Sequence, residues 1–213
     1  MNFMYFYMWP ILNNLYNKTI ETFISDERIL ENKNKITRNF ISATNAGGII
    51  VCSGLFFYTK NITFYNLSLI IPYTYYIWDT MYILILNKKN EYGYVYHHFV
   101  ALLLLYQLET KTNFGSLLYN GLVIAEVSNI PTYIVYHLKK ILANTNKNHQ
   151  RKLLFWQKCQ LIWYSFFRIP VFGVFLYNGY GKVPMFSFIQ YTALYMLGIF
   201  WFTKQLQGYY RRV

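Results

Sequence analysis

The chain has 213 residues, 55% hydrophobic, 22% aromatic and only 13% charged, a charged share about half the ~25% of ordinary soluble domains. With the apolar residues gathered into long blocks, this excludes most soluble classes and points to an all-α membrane protein. The net charge of +12 then reads as topology and attraction to anionic headgroups; no basic stripe interleaved with aromatics indicates nucleic acid. Cys52 and Cys159 both sit in apolar blocks, so neither a disulfide framework nor a zinc site is expected.

In chain order, residues 1–16 carry Met4, Phe6, Met8, Trp9 and Tyr16 around Pro10. They lack the basic start and small-residue cleavage site of a signal peptide and are too short to span, so an aromatic segment lying at the headgroup level is expected. Residues 1–36 are read as an N-terminal interfacial and cytoplasmic segment, and residues 37–213 as one domain of six transmembrane helices. The spans expected are 40–58, 62–86, 92–108, 114–138, 153–177 and 183–206, each able to cross ~30 Å of hydrocarbon at ~1.5 Å per residue. Short polar connections favour antiparallel neighbours in a single bundle.

The distribution of Lys and Arg agrees with that count. One side collects Lys18, Arg28, Lys33, Lys35 and Arg38, then Lys88 and Lys89, then Lys139, Lys140, Lys147, Arg151 and Lys152, then Lys204, Arg211 and Arg212; the other receives Lys60, Lys111 and Lys182. The positive-inside rule puts both termini in the cytoplasm.

Charged side chains in hydrocarbon cost at least ~2.5 to 3.5 kcal/mol on insertion scales, so each needs a partner, a wet cavity or a function. Asp79 lies ~10 Å from the cytoplasmic end of its helix and the His97, His98 doublet ~8 to 9 Å, while Glu126 and Arg168 lie deeper, at ~18 and ~22 Å. Depth therefore suggests two layers: Asp79 with a histidine, and a Glu126–Arg168 salt bridge fixing helix register. A neutral imidazole serves as base or nucleophile near pH 7, and a carboxylate on its second nitrogen would fix its tautomer. Pro72, Pro131 and Pro170 should kink their helices, and Pro131 follows Glu126 and Ser128 on the same helix. Ala43, Gly47 and Gly54 permit close helix approach.

No phosphate-cradling Gly-rich loop, His-Glu-x-x-His or Cys-x-x-Cys occurs, so no bound cofactor or metal is expected. The abundance of Tyr, Asn, Lys and Ile fits an AT-rich genome such as a protist's or a large DNA virus's, the latter implying a host membrane.

Four segments together resemble the TLC domain family of ceramide synthases, translocating-chain-associated proteins and smaller lipid-regulating relatives. They are Tyr75-Tyr76-Ile77-Trp78-Asp79, Tyr96-His97-His98-Phe99, Glu126-Val127-Ser128-Asn129-Ile130-Pro131 and Phe166-Phe167-Arg168-Ile169-Pro170. The resemblance implies a six- or seven-helix bundle in the endoplasmic reticulum or a related membrane, with His97, His98 and Asp79 as candidate catalytic residues. Glu126, Ser128, Pro131 and Arg168 would line or shape the substrate site. Asp26 and Asp79 are the only aspartates, whereas the synthase motif carries several, which brings the chain closer to the small non-synthase branch. Membrane lipids are the expected partners. The first functional reading is a protein of lipid homeostasis, tied to sphingolipids by the family, that binds an acyl lipid between its helices. The second is an acyl-coenzyme A-dependent N-acyltransferase with acyl-coenzyme A as co-substrate, and the third a non-catalytic scaffold or cargo receptor.

Overall fold

The computed structural model describes residues 4–86, 92–109, 115–141 and 146–211; Lys88, Lys89, Lys111 and Arg212 of the charge distribution lie outside them. The described residues form helices α1 (Met4–Phe23), α2 (Glu27–Glu31), α3 (Lys33–Thr59), α4 (Ile62–Ile85), α5 (Tyr92–Glu109), α6 (Gly115–Ile141), α7 (Lys147–Phe166), α8 (Phe172–Gly179) and α9 (Met185–Tyr210), with a π-helical turn (Phe167–Val171) joining α7 to α8. No strand occurs among them.

Helix boundaries follow local chemistry. Lys60 takes the left-handed conformation at φ 58° and its N–H caps the Phe56 carbonyl, closing α3. Next to it, the Asn61 side chain accepts from the Thr63 N–H and opens α4, so the chain reverses within two residues. At Pro170 the ring removes an N–H, and the helix widens to a π turn in which the Phe172 N–H reaches the Phe167 carbonyl. This turn carries Arg168 into the bundle, where it is buried.

Pro131 is handled differently. Its missing N–H leaves the Val127 carbonyl, four residues back, without a helical donor. Trp163 Nε1 on α7 donates to that carbonyl at 2.9 Å, so the proline defect of α6 becomes an interhelical tie.

Polarity is inverted relative to a soluble bundle. The buried residues include Asn45, Ser68, Thr74, Asp79, His98, Glu126, Ser128, Gln160, Arg168 and Gln190, while Val51, Phe99, Phe155, Ile162, Phe166, Ile189 and Phe200 are exposed. Such an apolar exterior around a hydrogen-bonded interior is what a hydrocarbon solvent selects.

Among the described residues three helical stretches are long and apolar enough to cross a membrane: Lys33–Thr59, Lys147–Gly179 and Met185–Tyr210. The other three expected spans also form helices, α4, α5 and α6, but they do not reach the same apolar content. The reason is visible in what they bury: Ser68, Thr74, Tyr75, Tyr76 and Asp79 on α4, His98 on α5, Glu126 and Ser128 on α6.

The N-terminal segment packs on the bundle. Trp9 is fully buried, donates its Nε1–H to Thr74 Oγ1 at 3.0 Å and meets the Tyr75 ring edge-on at 5.3 Å. Thr37 Oγ1 donates to Asn17 Oδ1 at 2.9 Å, and Ile20, Ile29 and Ile36 form a small core of their own. The boundary drawn at residue 36 falls inside α3, three residues after that helix begins at Lys33.

Candidate functional site

A cavity of about 540 Å³ opens between α3, α4, α5, α6, α7 and α9, within the ~300 to 1,000 Å³ usual for ligand pockets. Asp79, His97, His98 and Glu126 all line it, so the two layers inferred from depth belong to one chamber. Lys35, Lys139 and Lys204 line its end where α3 begins and α6 and α9 finish.

Asp79 has a partner that hydropathy hid. Arg38 Nε donates to Oδ1 at 2.5 Å and Nη2 to Oδ2 at 2.7 Å, a two-pronged contact matched to guanidinium geometry. His98 Nδ1 lies 3.6 Å from Asp79 Oδ2, outside hydrogen-bond range, and 3.3 Å from Thr80 Oγ1. The structure thus brings Asp79 and His98 together as expected, within ion-pair distance, but gives the carboxylate's hydrogen bonds to Arg38. The apolar run that starts at Phe40 puts Arg38 in the cytoplasmic segment, yet α3 starts seven residues earlier, at Lys33.

The two imidazoles diverge, as adjacent helical positions must. His98 stacks on Tyr76 with centroids 4.9 Å apart. His97 meets Trp201 edge-on at 5.2 Å, and its buried Nδ1 has no hydrogen-bond partner.

Glu126 and Arg168 do not form the expected salt bridge. Tyr76 OH donates to Glu126 Oε1 at 2.7 Å, and the Asn129 side chain also acts on the carboxylate. Arg168 Nε donates to Ser128 Oγ at 2.8 Å and Nη2 to the Ala125 carbonyl at 3.2 Å. The guanidinium also lies 5.5 Å from the centre of the Tyr164 ring and 5.9 Å from that of Phe172, close enough for cation–π attraction. Ser128 Oγ in turn donates to the Ala125 carbonyl at 2.6 Å. Register is therefore fixed by a charged donor on neutral acceptors. Gly198 makes room for it: a Cβ there would sit 3.3 Å from Arg168 Cδ.

Beyond Tyr76, His97 and Glu126 lies a second, apolar cleft of about 30 Å³ lined by Leu104, Leu108, Leu118, Ala125 and Phe172. The same three residues line both spaces. A molecule bound across them would meet polar groups on one side and a leucine wall on the other. Ser128 and Pro131 line neither; they act through Arg168 and through the Trp163 tie. Lys158, read inside the fifth span, is exposed. Among the described residues no group of three or more His, Cys, Asp or Glu side chains could hold a metal ion.

Sequence reasoning missed Arg38, Tyr76 and Trp9. Arg38 was findable as the cation in reach of a buried aspartate at the start of the first span; one tyrosine among 23 carried no such signal. No curated protein and no solved structure matches the chain. The family model of the TLC domain, by contrast, matches residues 40–207, which include every cavity residue except Lys35, Arg38 and Asn39, and the chain belongs to that family of membrane proteins.

Proposed function

We propose that the protein acts in lipid homeostasis as a six-span membrane protein, in the small non-synthase branch of its family, that binds an acyl lipid inside the bundle. The carrying observation is the wall of Tyr76, His97 and Glu126 shared by a polar cavity and an apolar cleft. An amphipathic ligand would place the join of head and chain where the lining changes character; the cleft's 30 Å³ is about the share of one water molecule, so the chain must part the leucine wall to enter. In this reading both termini and the Lys35, Lys139, Lys204 end face the cytoplasm, in the endoplasmic reticulum or a related membrane.

A second reading is favoured by His97, whose unpartnered Nδ1 lies on that junction. There an imidazole could take the proton from a lipid amine as the nitrogen attacks an acyl thioester; the new amide forms, the carbon–sulfur bond breaks and the thiol leaves with that proton. The acyl donor in this reading is acyl-coenzyme A, and His98, whose ring centre lies 5.7 Å from that of His97, stands between that imidazole and the Arg38–Asp79 pair.

Lipid mass spectrometry on wild type and on His97→Ala/His98→Ala, both on purified protein and on the expressing cells, separates the two. Co-purified acyl lipid with either protein and unchanged cellular lipids support binding. A cellular acyl lipid that rises with wild type alone supports catalysis. No co-purified lipid and no cellular change would reject both.

A further inference from the structure

Charge is divided unevenly along the chain. All eight acids stand at or before Glu126, and the 87 residues that follow it hold none. Cations of the first half meet carboxylates, as Lys33 meets Glu21 and Arg38 meets Asp79. Those of α7 do not: Lys147, Arg151, Lys152 and Lys158 are all exposed, and none has an ion-pair partner among the described residues.

The elements packed on α7 supply no counter-charge. The π turn and α9 carry no acid, and Glu126, the one acid of α6, is buried inside the bundle. α7 has no acid in its own first turn either. Its cations therefore crowd the end that the helix dipole makes positive, an arrangement that is unfavourable unless anions lie outside it.

The height of these cations matches a bilayer surface. Exposed Tyr177 and Tyr180 mark the opposite interface as an aromatic belt does, and ~30 Å of hydrocarbon counted back from there at ~1.5 Å per residue ends close to Lys158. Arg151 stands two turns further out, ~10 Å away on the same face, and the lysine stem leans toward it because helical side chains tilt to the N-terminus. Phe155 lies between the two cations, and on the hydrocarbon side the face continues as Ile162 and Phe166, all three exposed. A cationic pair above an apolar stripe has the outline of a phospholipid, phosphate above chain.

We propose that the outer face of α7 docks an anionic phospholipid, its phosphate held between Arg151 and Lys158 and one chain lying along Ile162 and Phe166. A zwitterionic headgroup carries its own cation and cancels most of the attraction, whereas an anionic one brings the counter-charge that this side of the protein lacks. The site lies on the opposite face of the helix from Tyr164, which lines the cavity, so it does not depend on what the cavity binds.

The test places the full chain in nanodiscs holding phosphatidylserine and phosphatidylcholine in equal amounts and with the same chains, and reads by native mass spectrometry which lipid stays bound on release. Wild type should retain phosphatidylserine about twentyfold over phosphatidylcholine. Arg151→Gln or Lys158→Gln alone should lower that preference about fivefold, the worth of one cation near an anionic surface, and the double variant should bring it close to parity. Lys60→Gln/Lys182→Gln, which removes two exposed cations from the opposite end of the bundle, should keep the wild-type preference. Equal retention of both lipids by wild type overturns the proposal, as does a preference that survives the double variant. So does a loss in Lys60→Gln/Lys182→Gln as large as in the α7 double variant, because the attraction is then one of net charge and not of a site. Where the double variant does not fold, either single variant decides, since each must lose the fivefold that its own cation supplies.

Discussion

Half-buried Arg38 and buried Arg168 face two buried carboxylates in this bundle, and they are used in opposite ways. Arg38 and Asp79 close on each other through two charged hydrogen bonds, leaving the carboxylate little capacity for anything else. Arg168 and Glu126 share a stretch of cavity wall without a hydrogen bond between them: the cation is held by Ser128 and the Ala125 carbonyl, the carboxylate by Tyr76 and Asn129, and the two feel each other through charge alone. A pair satisfied internally is a structural clamp, whereas a carboxylate held by neutral donors is not. The difference sets Asp79 in a closed clamp and leaves Glu126 facing the cavity.

Breaking the clamp should have the largest effect. Arg38→Met leaves Asp79 buried and uncompensated, which costs about 3 to 5 kcal/mol, enough to abolish recovery of monodisperse protein by size-exclusion chromatography. Arg38→Met/Asp79→Leu should recover most of the loss, since the stranded charge leaves with its partner. Full recovery by Arg38→Met alone would mean that the ion pair carries no load.

The Glu126–Arg168 layer should behave otherwise under the same treatment. Arg168→Met removes one charged donor from Ser128 and another from the Ala125 carbonyl, together with two ring contacts, for about 2 to 4 kcal/mol. Adding Glu126→Gln should recover only a small part of it, because the two side chains share no hydrogen bond and act on each other through charge alone. Exchanging them as Glu126→Arg/Arg168→Glu should fail like either single exchange. A double-mutant cycle on thermal stability checks both statements, and a coupling as large as that of Arg38 with Asp79 would erase the distinction.

That contrast also marks how far the sequence could be read. The cost of charge in hydrocarbon was enough to single out Asp79, Glu126, Arg168 and the histidine doublet, and the motifs around them were enough for the family. The partners were not legible, because depth along a helix leaves rotation about its axis and the reach of long side chains open. Tyr76 bridges the two depth layers with a ring that stacks on His98 and a hydroxyl that reaches Glu126, so levels that look separate along the chain share one cavity. Arg38 was lost for a different reason: an apolar window begins where side chains turn apolar, whereas α3 begins with its backbone at Lys33. For α4 to α6 the hydropathy itself is ambiguous, since residues that build the cavity lower the apolar content of the helices that carry them.

A smaller effect sharpens the comparison at the backbone. Gly198 on α9 faces the Arg168 stem, and a Cβ there would meet Cδ at 3.3 Å, tight enough that the side chain must give by a few tenths of an ångström. Among the described residues, no other glycine's would-be Cβ meets an arginine stem. Gly198→Ala should therefore cost about 1 kcal/mol at the low end of overpacking, lowering the melting temperature by a few degrees, with the Arg38 clamp untouched.

The smallest expected loss comes from Trp163→Phe, which keeps an aromatic ring at the α6–α7 contact and removes the indole N–H that reaches the Val127 carbonyl. Pro131 ensures that no helical N–H can take its place, but the position is partly exposed, so the penalty should be about 1 kcal/mol, near the net worth of a single hydrogen bond. The informative control is Pro131→Ala, which restores the helical N–H to that carbonyl. In the Pro131→Ala background Trp163→Phe should cost less than in wild type, because the acceptor then has a donor of its own. If the cost is the same in both backgrounds, the indole contributes through packing and the proline defect is satisfied by other means.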